Sequence, residues 1–177
     1  EGNSGEMAQP AESAILYYES WGQSWERSAL IKARPVAGSI ELGNYILQEL
    51  EPFIFRRHLD YAMVEDIKGM KQKIDRSLTR AEEGEVNLKL GRGGIREIEF
   101  FGQIFQLIRG GVVPELQQRS ILKVLSLLAD FGYLQPGEAE DLRQSYLFLR
   151  KLENRLQMER DQQTQVLPRD VLSRERI

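Results

Sequence analysis

The richest chemistry in this sequence lies in one run, Lys89-Leu90-Gly91-Arg92-Gly93-Gly94-Ile95-Arg96-Glu97-Ile98-Glu99-Phe100. Glycines at 91, 93 and 94 predict a tight turn, and the apolar spacing after them predicts a helix from Ile95 to Ile108. A turn that opens a helix leaves backbone N–H groups without intrahelical partners, and the helix dipole adds positive potential there. Arg92 and Arg96 supply guanidinium forks that match phosphate. An anion corner is one reading of the run; the other is a turn whose arginines pair with Glu97, Glu99 or surface acids. The run is not a P-loop, because no Gly-Lys-Ser/Thr follows the glycines. Glu97 and Glu99 stand two apart on a helix and do not share a face, so they do not make a metal pair by themselves.

Other candidates carry less information. Lys32-Ala33-Arg34 sits where a helix should end and is either a phosphate contact or a set of cations favoured by a helix C-terminus. His58, flanked by Arg56, Arg57 and Asp60, reads as a surface or structural histidine. Tyr17, Tyr18, Trp21 and Trp25 read as core rather than as a ligand platform. With one histidine and no cysteine in the chain, multi-histidine metal sites, thiolate metal sites and disulfides are excluded.

The balance of 24 basic and 27 acidic residues, a formal charge of -3, argues against nucleic acid or a membrane surface as the main partner. The local cluster Arg56-Arg57-His58 runs against that trend. No apolar run approaches the roughly 20 residues needed to span a bilayer. A cysteine-free chain without a secretory signal fits the cytoplasm.

The elements that must position these residues are mostly helices. Residues 1–10 read as a polar loop whose abrupt start suggests a piece of a longer chain. Pro10 suits the first turn of a helix carrying Ile15, Leu16, Tyr18, Trp21 and Trp25, and the pattern continues from Gln23 to Arg34, before Pro35. Gly38-Ser39 predicts a stop and an N-cap for a helix through Tyr45, Ile46 and Leu50, with Pro52 starting a new turn. A long helix is expected from Asp60 to about Ala81, closed by Glu82-Glu83-Gly84. Alternation over residues 86–90 predicts one short strand. Gly110-Gly111 and Pro114 break the helix that starts at Ile95. Further helices are expected from Ser120 to Phe131 and from Pro136 to Arg160, the last with Leu142, Tyr146, Leu149, Leu152 and Leu156 on one face, before a polar tail.

Several segments together resemble the glutamine synthetase adenylyltransferase family of adenylyl-transferring and adenylyl-removing enzymes. They are EGNSGEM, YYESWGQSWERSALIKAR, PFIFRRHLD, KLGRGGIREIEF, QIFQLIRGG, YLFLRKLENRLQ and DQQTQVLP, in the family's order from Glu1 to Pro168. The glycine run also resembles uridylyltransferases that act on the nitrogen-signalling protein PII.

The resemblance implies a mainly α chain: a helical bundle following the truncated end of a polymerase-β-type nucleotidyltransferase domain, with at most a short strand near 86–90. It implies that residues 1–110 close that domain with its helical extension and that 111–177 form a bundle segment. The implied parent enzyme uses Mg²⁺ and ATP to attach AMP to a tyrosine of glutamine synthetase, and removes it with phosphate to give ADP. The wording GGIREIEF and QLIRGG is similar to the adenylyl-removing half. Lys32, Arg34, Arg92 and Arg96 then become candidate nucleotide or phosphate contacts, with Gly91, Gly93, Gly94, Glu97 and Glu99 supporting them. The family's metal is held by an Asp-x-Asp segment, and this sequence has none. The expectation is therefore no catalytic residue, no metal ligand, no tightly bound cofactor and no turnover within the chain itself. The implied partners are glutamine synthetase and PII, and the alternative role is a regulatory or docking module that binds one of them.

Overall fold

The computed structural model describes residues 8–58, 65, 68–69, 72, 86–160, 163–170 and 173–174. The helix expected over 60–81 and its closing Glu82-Glu83-Gly84 lie almost wholly outside the described residues, as does the expected loop over residues 1–7. Among the described residues the elements are helices: α1 (Ala11–Trp21), α2 (Ser24–Leu30), α3 (Ile40–Ile54), α4 (Ile95–Arg109), α5 (Ile121–Asp130) and α6 (Pro136–Arg160), with a 3₁₀ turn at Pro114–Leu116. The chain is mainly α, as its apolar periodicity predicts. No described helix is long and apolar enough to cross a membrane.

Local chemistry sets most boundaries. Gln23 N–H donates to Glu26 Oε2 at 2.7 Å, so the pattern expected to run on from α1 is cut at Gly22-Gln23 and restarted as α2. Helix α2 stops at Leu30 rather than Arg34. There the N–H groups of Lys32 and Ala33 turn back to the carbonyls of Ala29 and Leu30, which tightens the chain into a turn as Ile31 enters the core. Ser39 caps α3, its Oγ accepting from Leu42 N–H at 3.2 Å.

Pro52 does not start a new turn; it lies inside α3. Proline removes an N–H from the helical ladder, and tertiary contacts compensate. The buried Arg27 guanidinium donates to the carbonyls of Phe53 at 2.9 Å and Ile54 at 3.1 Å, and both of those side chains are buried. The last turn of α3 is thus held from α2.

There are two cores among the described residues. Ile31, Leu50, Phe53, Ile54 and Leu107 form the first, with Ile15, Tyr18 and Ile46 packed against it. Ile98, Leu116, Ile121, Val124, Leu125 and Leu128 form the second, covered by Phe101, Phe105, Leu142, Tyr146 and Leu149. Helix α4 serves both: Ile98 and Leu107 are nine residues apart, about half a turn out of phase, and face opposite cores. Buried Gln106 fastens the following loop by donating to the carbonyls of Leu116 and Gln118, each at 2.7 Å. The seam expected on α6 is present, with Leu156 fully buried and Leu142, Tyr146 and Leu149 partly so.

The tryptophans are not core. Trp21 is 72% exposed and Trp25 58%, while Tyr18 packs on Phe53 with ring centroids 5.5 Å apart. Trp21 ends α1, and Trp25 lies on the outer side of a short helix whose buried residues are Glu26 and Arg27.

Candidate functional site

The glycine run is anchored from the far end of the chain. Leu88 N–H donates to the Gln165 carbonyl at 2.8 Å and Leu167 N–H to the Val86 carbonyl at 2.9 Å, with a single antiparallel bridge between Asn87 and Val166. The strand expected over 86–90 is reduced to that bridge. The cause is Asn87, whose Oδ1 accepts from Lys89 N–H at 3.0 Å and Leu90 N–H at 2.8 Å and bends the backbone away from a ladder. The polar tail, expected to be a loop, supplies the pairing partner through Gln165–Leu167.

The turn then uses its own N–H groups. Gly91 donates to Asn87 O, Gly94 to Gly91 O, Ile95 to Leu88 O and Arg96 to Lys89 O, at 2.8 to 3.1 Å. Gly93, at φ +72°, occupies the left-handed region that favours glycine, and its N–H donates to Glu97 Oε2 at 2.7 Å. Gly94 is buried, and a Cβ there would sit 2.7 Å from Gly91 O and 2.8 Å from Leu88 O. Most of the N–H groups expected to be unpaired, those of Gly91, Gly93, Gly94, Ile95 and Arg96, are therefore taken up within the turn, and the Glu97 carboxylate accepts one of them. What faces outward is side-chain chemistry. Arg92 and Arg96 are exposed, and among the described residues no hydrogen bond or ion pair engages either guanidinium.

Glu99 points elsewhere, as two residues apart on a helix require. Its Oε1 pairs with Lys32 Nζ at 3.0 Å and accepts from the Tyr146 hydroxyl at 3.1 Å. Arg96 and Glu99 stand three apart on α4 and are surface neighbours, so Glu99 brings the Lys32 ammonium to the Arg96 side of the helix. Arg34 is exposed, two residues beyond Lys32. Burial raises the Tyr146 hydroxyl to about 12, and the Glu99 charge and hydrogen bond push the same way. On the same face of α6, Arg150 Nη1 lies 2.8 Å from Oε2 of buried Glu153.

Tyr146, Arg150 and Glu153 were missed as polar participants. Tyr146 reads as one more apolar position in the α6 seam. Glu153, set four residues after Leu149 and three before Leu156, is a carboxylate in the apolar register, and that misfit was the available signal.

The described carboxylates around the corner do not fit a divalent metal. Glu97 is committed to Gly93 N–H, Glu99 to Lys32 and Tyr146, and Glu153 to Arg150. Among the described residues no group of three or more His, Cys, Asp or Glu is placed to hold one.

Residues 65–177 match a family model described as GlnD PII-uridylyltransferase, and residues 1–49 match one described as Glutamate-ammonia ligase adenylyltransferase. The chain is 50% identical over 167 residues to a protein of Rhizobium meliloti named bifunctional glutamine synthetase adenylyltransferase/adenylyl-removing enzyme; the match covers 92% of this chain and 17% of that protein. Proteins of the same name from Hahella chejuensis and Stenotrophomonas maltophilia strain R551-3 are 46% and 48% identical over 176 residues. Each of those matches covers 99% of this chain, and 18% and 19% of the relative. The chain thus spans less than a fifth of the length of these relatives.

Proposed function

The chain belongs to the glutamine synthetase adenylyltransferase family, and on that premise we propose that it is the helical part of an enzyme that regulates glutamine synthetase by reversible adenylylation. In one direction the tyrosine oxygen of the synthetase attacks the α-phosphorus of ATP, and AMP is transferred as pyrophosphate leaves. In the other, a phosphate oxygen attacks the phosphorus of the tyrosyl-AMP ester, the tyrosine oxygen leaves, and ADP is released. The chain goes with the removing half, on the wording GGIREIEF and QLIRGG. Residues 1–110 then close the nucleotidyltransferase domain and 111–177 extend the bundle. Mg²⁺ chemistry falls to carboxylates of the whole enzyme other than those described here, and the chain alone has no turnover.

One observation carries the assignment of residues. Among the described residues Arg92 and Arg96 have no side-chain partner on a turn whose backbone is largely tied down, and Lys32 is fastened to Glu99, three residues after Arg96 on α4. A rigid corner that offers forked donors and an ammonium suits the phosphates of a nucleotide or the attacking phosphate. Arg34 lies two residues beyond Lys32 in sequence. Gly91, Gly93, Gly94 and Glu97 hold the corner's shape, and Glu99 orients Lys32. In the full-length enzyme, Lys32→Ala and Arg92→Ala should each raise the KM for phosphate in adenylyl removal several-fold. An unchanged KM in both variants would remove these side chains from the site. The 177-residue chain, incubated with adenylylated glutamine synthetase, phosphate and Mg²⁺, should release no ADP above a blank.

A second reading has its own observation. Leu16, Trp21 and Trp25 are 63%, 72% and 58% exposed, and Phe148 on α6 is 64% exposed. Exposed large apolar side chains of this kind mark protein contacts, which supports docking of glutamine synthetase or a PII protein on the bundle. Loss of binding to either protein in Trp21→Ala, with adenylyl removal from a saturating substrate intact, would favour this role.

A further inference from the structure

Two segments singled out in the sequence, PFIFRRHLD and QIFQLIRGG, have no part in the glycine corner, yet the fold brings the described residues 52–58 of the first against the end of the second. The end of α3 and the end of α4 wall a cleft of about 480 Å³ lined by Phe55, Arg56, Arg57, His58, Gly111 and Gln117. This lies at the C-terminal end of α4, about 22 Å along the 15-residue helix from the glycine turn at its start.

The cleft depends on Gly110-Gly111. A Cβ at Gly110 would sit 2.7 Å from Phe55 Cδ1, and one at Gly111 would overlap the carbonyl oxygen of Arg56. Only glycines let the α4 terminus lie against the Phe55–Arg56 backbone, and that approach sets the wall on which Arg57 and His58 stand. Glu51 also lines the cleft, where its Oε1 accepts from Gln117 Nε2 at 3.2 Å, and the same amide donates to the Gly110 carbonyl at 3.0 Å. The α3 C-terminal carbonyls that would repel an anion are covered by the Arg27 guanidinium, which donates to Phe53 O and Ile54 O. Arg56 has a partner of its own, whereas among the described residues no hydrogen bond or ion pair engages Arg57. The volume is that of a small-molecule site.

We propose that this cleft is a second anion site, distinct from the glycine corner, that takes a small phosphate-bearing ligand between the Arg57 guanidinium and the His58 imidazole. Forked donors from an arginine beside an imidazole suit a tetrahedral dianion. The apolar wall from Phe55, Pro52 and Pro114 leaves room for an organic portion.

His58 is the only histidine in the chain, so its ring resonances report this site alone. The probe is inorganic phosphate, added to the 177-residue chain at constant ionic strength with chloride as the control and followed by nuclear magnetic resonance. The His58 ring signal should move saturably with phosphate and not with chloride. Arg57→Ala, at an exposed position, should weaken that response about tenfold or more, and Arg57→Lys should restore part of it. Arg92→Ala should leave it unchanged, which separates this cleft from the glycine corner. A non-saturating shift matched by chloride, or full phosphate affinity in Arg57→Ala, would overturn the proposal. Loss of the response in Arg92→Ala would also overturn it, by placing the anion at the other end of α4.

Discussion

Lys32 and Glu99, 67 positions apart in sequence, meet at 3.0 Å between Nζ and Oε1. Their side chains are 39% and 25% exposed, so the pair by itself adds at most about 1 kcal/mol. Its importance is positional. Glu99 also accepts the Tyr146 hydroxyl, so the turn after α2, the first turns of α4 and the middle of α6 are joined at one oxygen. An ammonium held this way is fixed to Glu99, three residues after Arg96 on α4, without being buried.

The Tyr146 hydroxyl provides a direct test of that junction. Its pKa is raised to about 12, first by burial and then by Glu99. A raised folded pKa means that the fold favours the protonated phenol. That stabilisation is complete below the unfolded value near 10 and is lost as pH rises through about 12. Spectrophotometric titration should show a late tyrosine ionisation that belongs to Tyr146. Tyr146→Phe should remove that late step, and Glu99→Gln should move it down. Ionisation of Tyr146 near 10 in the wild type would dissolve the junction.

Arg27 links α2 to α3, and its removal should be costly. The guanidinium is 2% exposed and covers two carbonyls at the end of a proline-containing helix. Arg27→Met leaves those acceptors without a donor, at about 1–3 kcal/mol each. Denaturant unfolding should show a loss of several kcal/mol. A change below about 0.5 kcal/mol would mean that α3 holds its last turn unaided.

Two leucines of the α6 seam, Leu149 and Leu156, should separate by burial. Leu156 is 0% exposed, so Leu156→Ala should lose about 2–5 kcal/mol. Leu149 is only partly buried against the second core, so Leu149→Ala should lose less while remaining clearly destabilising. Equal losses, or a neutral Leu149→Ala, would show the seam to be misassigned.

Apolar periodicity made the long helices legible. α4, α5 and α6 begin where Gly94, Ser120 and Pro136 indicate, and the α6 seam follows from its leucine spacing. Local backbone chemistry was harder to read. Asn87 turned an alternating stretch into a bend, and Arg27 carried α3 through Pro52, a contact between residues too far apart for any window to register. The same limit applies to the site. Its arginines and glycines are adjacent in sequence and stood out, but the donors of the turn were consumed by Glu97 and by carbonyls that pattern cannot place. Lys32 found Glu99 across two helices. Tyr146 and Glu153 were hidden because an amphipathic seam absorbs a tyrosine, and one acid, without breaking its period.

The role of Arg96 is the most exposed part of the functional proposal. Arg96→Ala in the full-length enzyme should reduce adenylyl removal about ten- to a hundred-fold, the equivalent of one charge-assisted hydrogen bond of roughly 1.5–3 kcal/mol. Its melting temperature should stay within about a degree or two, because the side chain is exposed and among the described residues has no partner to lose. Arg96→Lys should recover only part of the activity, since an ammonium cannot reproduce the fork. The decisive measurement is the rate of ADP release per folded molecule, taken with the melting temperature on the same Arg96→Ala preparation. A ten-fold or greater loss at unchanged melting temperature is the expected result; full activity per folded molecule would contradict the assignment of the glycine corner to phosphate.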